Sequence, residues 1–173
     1  MIKVILADDH NIVRKGIESL LQPVKDIDVI GDVEDGLAAV DLTRQLAPDV
    51  VVIDINMPKL NGIQTTQQIK VQSPETQIVI LSQYADESIV RQAIHAGARG
   101  YLLKHSLVEE LPLAIKAVNR GKTFLSPDIS HVLLDTYLEN DEAIQAVNPL
   151  NKLTVRERQV MQMVAEGNTN KQI

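Results

Sequence analysis

Val50-Val51-Val52-Ile53-Asp54 sets four consecutive β-branched residues before a single carboxylate. A strand with one face in solvent alternates apolar and polar residues. An unbroken apolar run marks a strand covered on both faces, as in a parallel sheet. Four further segments read as strands. Ile2–Ala7 leads into Asp8-Asp9, Ile27–Val33 is a second run, Gln77–Leu81 leads into Ser82, and Gly100–Leu103 leads into Lys104. Between them lie helix-spaced segments. Ile12, Val13, Ile17, Leu20 and Leu21 precede Pro23, Leu37–Leu46 precedes Pro48, and a helix through Val71 precedes Pro74. Asp86 is placed to cap a helix that runs to Ala96 and closes at Gly97, and Ser106 with Glu109 spells a capping box. Strand and helix in alternation predict an α/β fold: a flavodoxin-like, doubly wound, five-stranded parallel sheet over residues 1–120.

In such a sheet the carboxyl ends of the strands share one edge, and ligands bind there. Asp8, Asp9, Asp54, Ser82 and Lys104 would therefore meet. Mg2+ takes oxygen ligands and is usually held by one or two carboxylates, so Asp8, Asp9 and Asp54 suit it without His or Cys. Asp54, alone at the end of a buried strand, is the best placed nucleophile for an acyl phosphate. Phosphoryl transfer needs alignment and neutralised oxygens, which the metal, the Lys104 charge and the Ser82 hydroxyl would supply. Taken singly, each residue has a plainer reading. Asp9 could cap a helix, Asp54 could be loop-facing polarity, Lys104 a solvated lysine and Ser82 a turn residue. Their joint occurrence at strand ends, in order along one edge, favours the site.

Composition narrows the class. The chain has 173 residues, is 45% hydrophobic and contains no cysteine, so disulfides and thiolate metal sites are excluded. No apolar stretch approaches the ~20 residues needed to span a bilayer, and no signal peptide is evident. The expected location is cytoplasmic, with no membrane partner. Charge is uneven. Residues 150–173 carry four cations against two acids, a balance of +2 within a net charge of -6, which leaves -8 on the remainder. A mildly basic tail on an acidic body is compatible with a nucleic-acid element.

After residue 120 the alternation stops. Residues 121–149 read as a linker with one helix, started by Ser126-Pro127-Asp128 and running through Leu138. In residues 150–173, Thr154 and Glu157 box the start of a helix to Ala165. Gly167 follows, and Thr169-Asn170-Lys171-Gln172 opens a second helix. A helix, a glycine turn and a new helix begin a helix-turn-helix.

Asp8-Asp9, Asp54 followed by Met57-Pro58 and Gly62, Ser82, and Tyr101-x-x-Lys104 resemble the receiver domain of bacterial two-component response regulators. Leu153-Thr154-x-Arg156-Glu157 with Gly167-x-Thr169-Asn170-Lys171-x-Ile173 resembles the start of a LuxR-type helix-turn-helix. Together they resemble the NarL/FixJ family of transcription regulators. The resemblance implies a sensor histidine kinase as phosphoryl donor to Asp54. It implies Mg2+ held by Asp8, Asp9, Asp54 and the backbone carbonyl of Asn56, with Ser82 and Tyr101 as switch residues. It also implies homodimerisation on phosphorylation, and no enzymatic role beyond self-phosphorylation from small donors and autodephosphorylation. The reading helix of a LuxR-type domain lies further along than Ile173, so DNA binding is expected of the full-length protein only. Many receivers follow the lysine with proline. Here His105 stands there, beside the site, and is read as a solvated loop histidine in preference to a ligand.

Two other readings compete. Aspartyl-phosphate hydrolases would make Asp8 the nucleophile, but they space their acids D-x-D rather than side by side. A nucleotide-binding domain would need a glycine-rich loop after the first strand, and none is present.

Overall fold

The computed structural model describes residues 1–134. The first of two compact units comprises Met1–Val132. Its elements follow the expected alternation: β1 (Ile2–Ala7), α1 (Asn11–Leu21), β2 (Ile27–Val33), α2 (Gly36–Leu46), β3 (Val50–Asp54), α3 (Gly62–Gln72), β4 (Gln77–Ser82), α4 (Glu87–Ala96), β5 (Gly100–Leu103), α5 (Leu107–Asn119) and β6 (Phe124–Leu125). All pairings are parallel, in the order β2-β1-β3-β4-β5-β6. That is the flavodoxin-like order with one strand added, and its switch point falls between β1 and β3.

The sixth strand corrects the expectation of five. Phe124 N donates to Arg99 O and Ser126 N to Tyr101 O, at 2.9 and 3.0 Å, which sets two residues against the edge of β5. A two-residue strand is too short to show a period, so the segment resembled plain linker. Ser126 then starts the expected helix. Pro127 occupies its first position, where a missing N–H costs nothing, and the helix is described to residue 134. The remainder of that helix to Leu138, and the Thr154–Ala165 and Thr169 helices, lie outside the described residues.

Alternation within the strands sorts the core. Val50 and Val52 pack with Val4, Leu6, Val79, Leu81 and Leu102 against Ile17 and Leu21 of α1 and Leu111, Ile115 and Val118 of α5. The intervening Val51 and Ile53, with Ile5, Ile78, Ile80 and Tyr101, are also fully buried. Their face of the sheet is the one covered by α2, α3 and α4. Burying one such side chain contributes about 1.5–3 kcal/mol. Among the described residues no helix is long and apolar enough to cross a membrane.

Caps set the helix entries. Asp35 accepts from Ala38 N at 2.9 Å, and Asn61 with Gln64 forms a full capping box on α3. Asp86 accepts from Ile89 N at 3.1 Å, and Gly97 closes α4 at φ 107°, both as expected. The expected Ser106 capping box does not form. Lys104–Ser106 winds into a 3₁₀ turn first, so Ser106 has φ -102° and ψ 6° and its hydroxyl donates to Leu103 O at 3.0 Å. Asp9 is not a cap either. His10 holds the N-cap position of α1, without a side-chain cap bond.

Two glycines make opposite predictions. A Cβ on Gly62 would lie 2.5 Å from Asp54 O and 2.8 Å from Ile55 Cα, against backbone that cannot yield cheaply. Gly62→Ala should cost about 1–3 kcal/mol. Gly16 is exposed inside α1 with nothing within 4 Å of its Cβ position. Gly16→Ala should stabilise by about 0.5–1 kcal/mol. Urea unfolding of the two variants, showing shifts of opposite sign, is the check.

Candidate functional site

Register brings the acids together. Ala7 pairs with Ile53, so the next residues, Asp8 and Asp54, emerge side by side at the switch point. Both are buried, at 1% and 2% exposure. The 3₁₀ turn after β5 carries Lys104 across β3 and β4. Its Nζ lies 2.7 Å from Asp8 Oδ2 and 3.0 Å from Asp54 Oδ1.

These charges adjust one another. Burial pushes the Asp54 carboxyl above its ordinary value, and Lys104 opposes that without cancelling it. Burial alone would pull Lys104 down, but its bonds to Asp8 and Asp54 hold the ammonium above the ordinary lysine value. The three groups form a buried cluster with more negative than positive charge. Such a cluster suits a further cation.

Asp9, half-exposed, completes a group of ligand atoms on Asp8, Asp9, His10 and Asp54 that all lie within 4.8 Å of one another. His10 was not anticipated, although it follows the acid pair directly. Its backbone N–H donates to Asp8 Oδ1 at 2.8 Å, and its Nδ1 lies 2.6 Å from Asp9 Oδ1 and 3.2 Å from Asp8 Oδ1. Arg14 was missed as well. It is almost buried, and it donates from Nη1 to Asp8 O at 2.6 Å and from Nε to Asp32 Oδ2 at 2.7 Å. The only sequence signal was an arginine on the inward stripe of α1. Its fork ties the loop holding Asp8 to the end of β2.

Ser82 and Tyr101 form a second group. Ser82 stands opposite Leu103 and Tyr101 opposite Ile80, which puts the two in the same phase of the pleat and out of phase with Asp54, paired to Leu81. The Ser82 hydroxyl accordingly engages Tyr84, donating to its carbonyl at 3.0 Å and accepting from its N–H at 3.1 Å. The fully buried Tyr101 donates from its hydroxyl to the same Tyr84 carbonyl at 3.3 Å. Burial raises the Tyr101 pKa. The structure thus gathers Asp8, Asp9, Asp54 and Lys104, and sets Ser82 and Tyr101 beside them on Tyr84.

The loop from β3 to α3 is held at both ends. Ile55 N donates to Leu81 O at 3.0 Å and Gly62 N to Ile55 O at 2.9 Å. Asn56 is exposed just after that anchor. Lys59, at φ 66°, reaches Asp35 Oδ2 at 2.6 Å. His105 is exposed as expected, with Nε2 3.3 Å from Asp128 Oδ2.

Residues 4–116 match the response regulator receiver domain, and residues 151–173 match the bacterial regulatory proteins of the luxR family. The transcriptional regulatory protein LiaR of Bacillus subtilis is 37% identical over 173 residues, covering 100% of this chain and 81% of that protein. DegU of Brevibacillus brevis is 34% identical, over 99% of this chain and 78% of that protein. A LuxR-family two-component response regulator from Aurantimonas sp. SI85-9A1 superposes with a TM-score of 0.77 at 32% identity, over 80% of this chain and 99% of that one. A structure of the response regulator RcsB in complex with DNA gives a TM-score of 0.71 at 28% identity, over 99% of this chain and 80% of that one. A buried aspartate pair bridged by lysine at the switch point, on a chain matched from end to end by such relatives, places the protein in the NarL/FixJ family of two-component response regulators, with receiver and LuxR-type DNA-binding domains.

Proposed function

We propose that Asp54 is the phosphoryl acceptor of this regulator and that its phosphorylation governs dimerisation and transcription control by the full-length protein. One observation carries the reading: a single ammonium, Lys104, bridges two buried carboxylates at adjacent strand ends. In this reading residues 1–120 are the receiver, 121–149 the linker and 150–173 part of the DNA-binding domain. The donor is a phosphohistidine on a sensor kinase, in the cytoplasm. An Asp54 carboxylate oxygen attacks phosphorus, the P–N bond breaks, and the leaving imidazole takes up a proton. Small phosphodonors would serve in place of the kinase, and water would later hydrolyse the acyl phosphate.

The donor set suits Mg2+, because Asp8, Asp9 and Asp54 offer hard oxygens within one ion's reach and the buried charge is negative. The Asn56 carbonyl would add a fourth oxygen. When bound, the ion neutralises phosphoryl oxygens. Lys104, already on Asp54, covers another oxygen by charge. Ser82 would donate to a third, and in turning it must leave the Tyr84 carbonyl. That frees the acceptor that Tyr101 shares, so the state of Asp54 reaches the face around α4 through one backbone oxygen.

Three outcomes are expected. A small phosphodonor with Mg2+ should label the Asp54 peptide, and Asp54→Ala should abolish the label. Label on Asp8 would instead point to hydrolase chemistry. Gel filtration of the full-length protein should show dimer after labelling, and an unchanged elution volume would overturn the coupling. The third concerns stability. Because the fold holds the Asp54 proton more tightly than the unfolded chain does, stability falls as pH rises from about 4 through the raised pKa and then stays low. Asp54→Asn should therefore raise Tm by about 2–4 °C at pH 7 without divalent ions. The gain should vanish below about pH 4, where both states are protonated, and shrink in excess Mg2+. Thermal melts at both pH values check this.

A further inference from the structure

Lys104 owes its place to the turn after β5, and that turn is pinned by a residue from beyond the expected receiver segment. We infer that Ser126 is a positioning residue for phosphoryl transfer: its hydroxyl holds the Leu103 amide and so sets where the Lys104 ammonium stands. The inference rests on the reading of Asp54 as phosphoryl acceptor, with Lys104 as its cation. The bond arises where β6 gives way to a helix. Ser126 N donates to Tyr101 O at 3.0 Å, as a ladder residue does. The next bond of a parallel ladder would run from Leu103 N to Ser126 O. That carbonyl already belongs to the helix, because Ser130 N donates to it at 3.1 Å. The side chain takes its place, and Leu103 N donates to Ser126 Oγ at 3.2 Å. The hydroxyl proton goes to Glu110 Oε2 on α5, which leaves the lone pairs of Oγ for the amide. Ser106 Oγ donates to Leu103 O at 3.0 Å, so hydroxyls hold both backbone groups of the residue just before Lys104.

A plainer reading makes Ser126 a helix cap and nothing more. A capping serine accepts from the second or third N–H of its own helix, here Asp128 or Ile129. Among the described residues neither of these donates to it, and the hydroxyl is committed to Leu103 and Glu110. Its position is fixed on both sides. Ser126 and Leu103 are buried, and Ile129, one turn along the helix, is buried completely. An amide N–H in such a place has no water to turn to and depends on the partner that the fold provides. Lys104 then reaches Asp8 and Asp54 from a backbone whose last strand residue cannot drift.

The test follows labelling of the whole chain by phosphoramidate with MgCl2, read as mass against time and mapped to its peptide. An Asp54 oxygen–phosphorus bond forms as the P–N bond breaks, and the nitrogen leaves protonated as ammonia. Ser126→Ala should slow labelling about 10-fold, and Ser126→Thr, which keeps the hydroxyl, by less than about twofold. In a Lys104→Ala background Ser126→Ala should have no further effect, because it acts through the lysine. An equal fold-loss in both backgrounds marks a general structural role and overturns the inference. A second readout serves where Lys104→Ala labels too slowly to follow. The Lys104 Nζ resonance in 1H–15N spectra should shift in Ser126→Ala and return in Ser126→Thr, and a resonance that stays in place overturns the inference. Where Ser126→Ala does not fold, Glu110→Gln keeps the hydroxyl and weakens its acceptor. That variant should slow labelling about two- to threefold and move the same resonance, and no change in either overturns the inference. Label on Asp54 at an unchanged rate in Ser126→Ala defeats the inference alone. Label on another residue defeats the reading of Asp54, and the inference falls with it.

Discussion

Lys104 is the cation around which the carboxyl edge is organised. Its charge offsets the desolvation and mutual repulsion of two carboxylates set side by side at buried strand ends. Its side chain is 16% exposed, and the ammonium is held between them at ordinary hydrogen-bond lengths. Everything that places Lys104 is thereby recruited to the site. That includes the parallel order that sets β1 beside β3, and the turn after β5 that carries the side chain back over two strands. Removing the lysine would leave two buried acids with no counter-charge, a change of the kind that costs about 3–5 kcal/mol.

The pleat separates chemistry from response. Asp8 and Asp54 share one phase of the sheet, with Leu81 and Leu102, while Ser82 and Tyr101 share the other. The second pair meets on a single acceptor, the Tyr84 carbonyl. A carbonyl has two lone pairs, so both hydroxyls can bond to it together, and loss of one alters the hold on the other. Tyr84 itself is 64% exposed, so the shared oxygen belongs to a residue whose ring lies at the surface.

Most of the fold was legible because its signals are long. Runs such as Val50–Ile53 and breakers such as Pro23, Pro48 and Pro74 mark strands and helix ends without knowledge of tertiary contacts. The site acids and Lys104 were legible because a parallel sheet turns strand ends into neighbours. What escaped depends on geometry finer than periodicity. Ser106 has the letters of a capping box, yet a 3₁₀ turn ahead of it spends the hydroxyl on Leu103 O. Phe124 and Leu125 join the sheet through backbone hydrogen bonds over a run too short to show a period. Arg14 and His10 matter through distances to Asp8 that no spacing rule encodes.

The short strand β6 has a consequence beyond the strand count. Paired at Gly100 and Tyr101, it occupies the backbone groups on the outer side of β5 where a strand from another molecule would start a ladder. Beyond it, Leu103 N is satisfied by the Ser126 hydroxyl, which in turn donates to Glu110. An uncovered edge is an invitation to indiscriminate strand addition. With β6 in place, the described edge of the sheet on that side is only two residues long, and so short an edge strand offers little ladder for another molecule to extend.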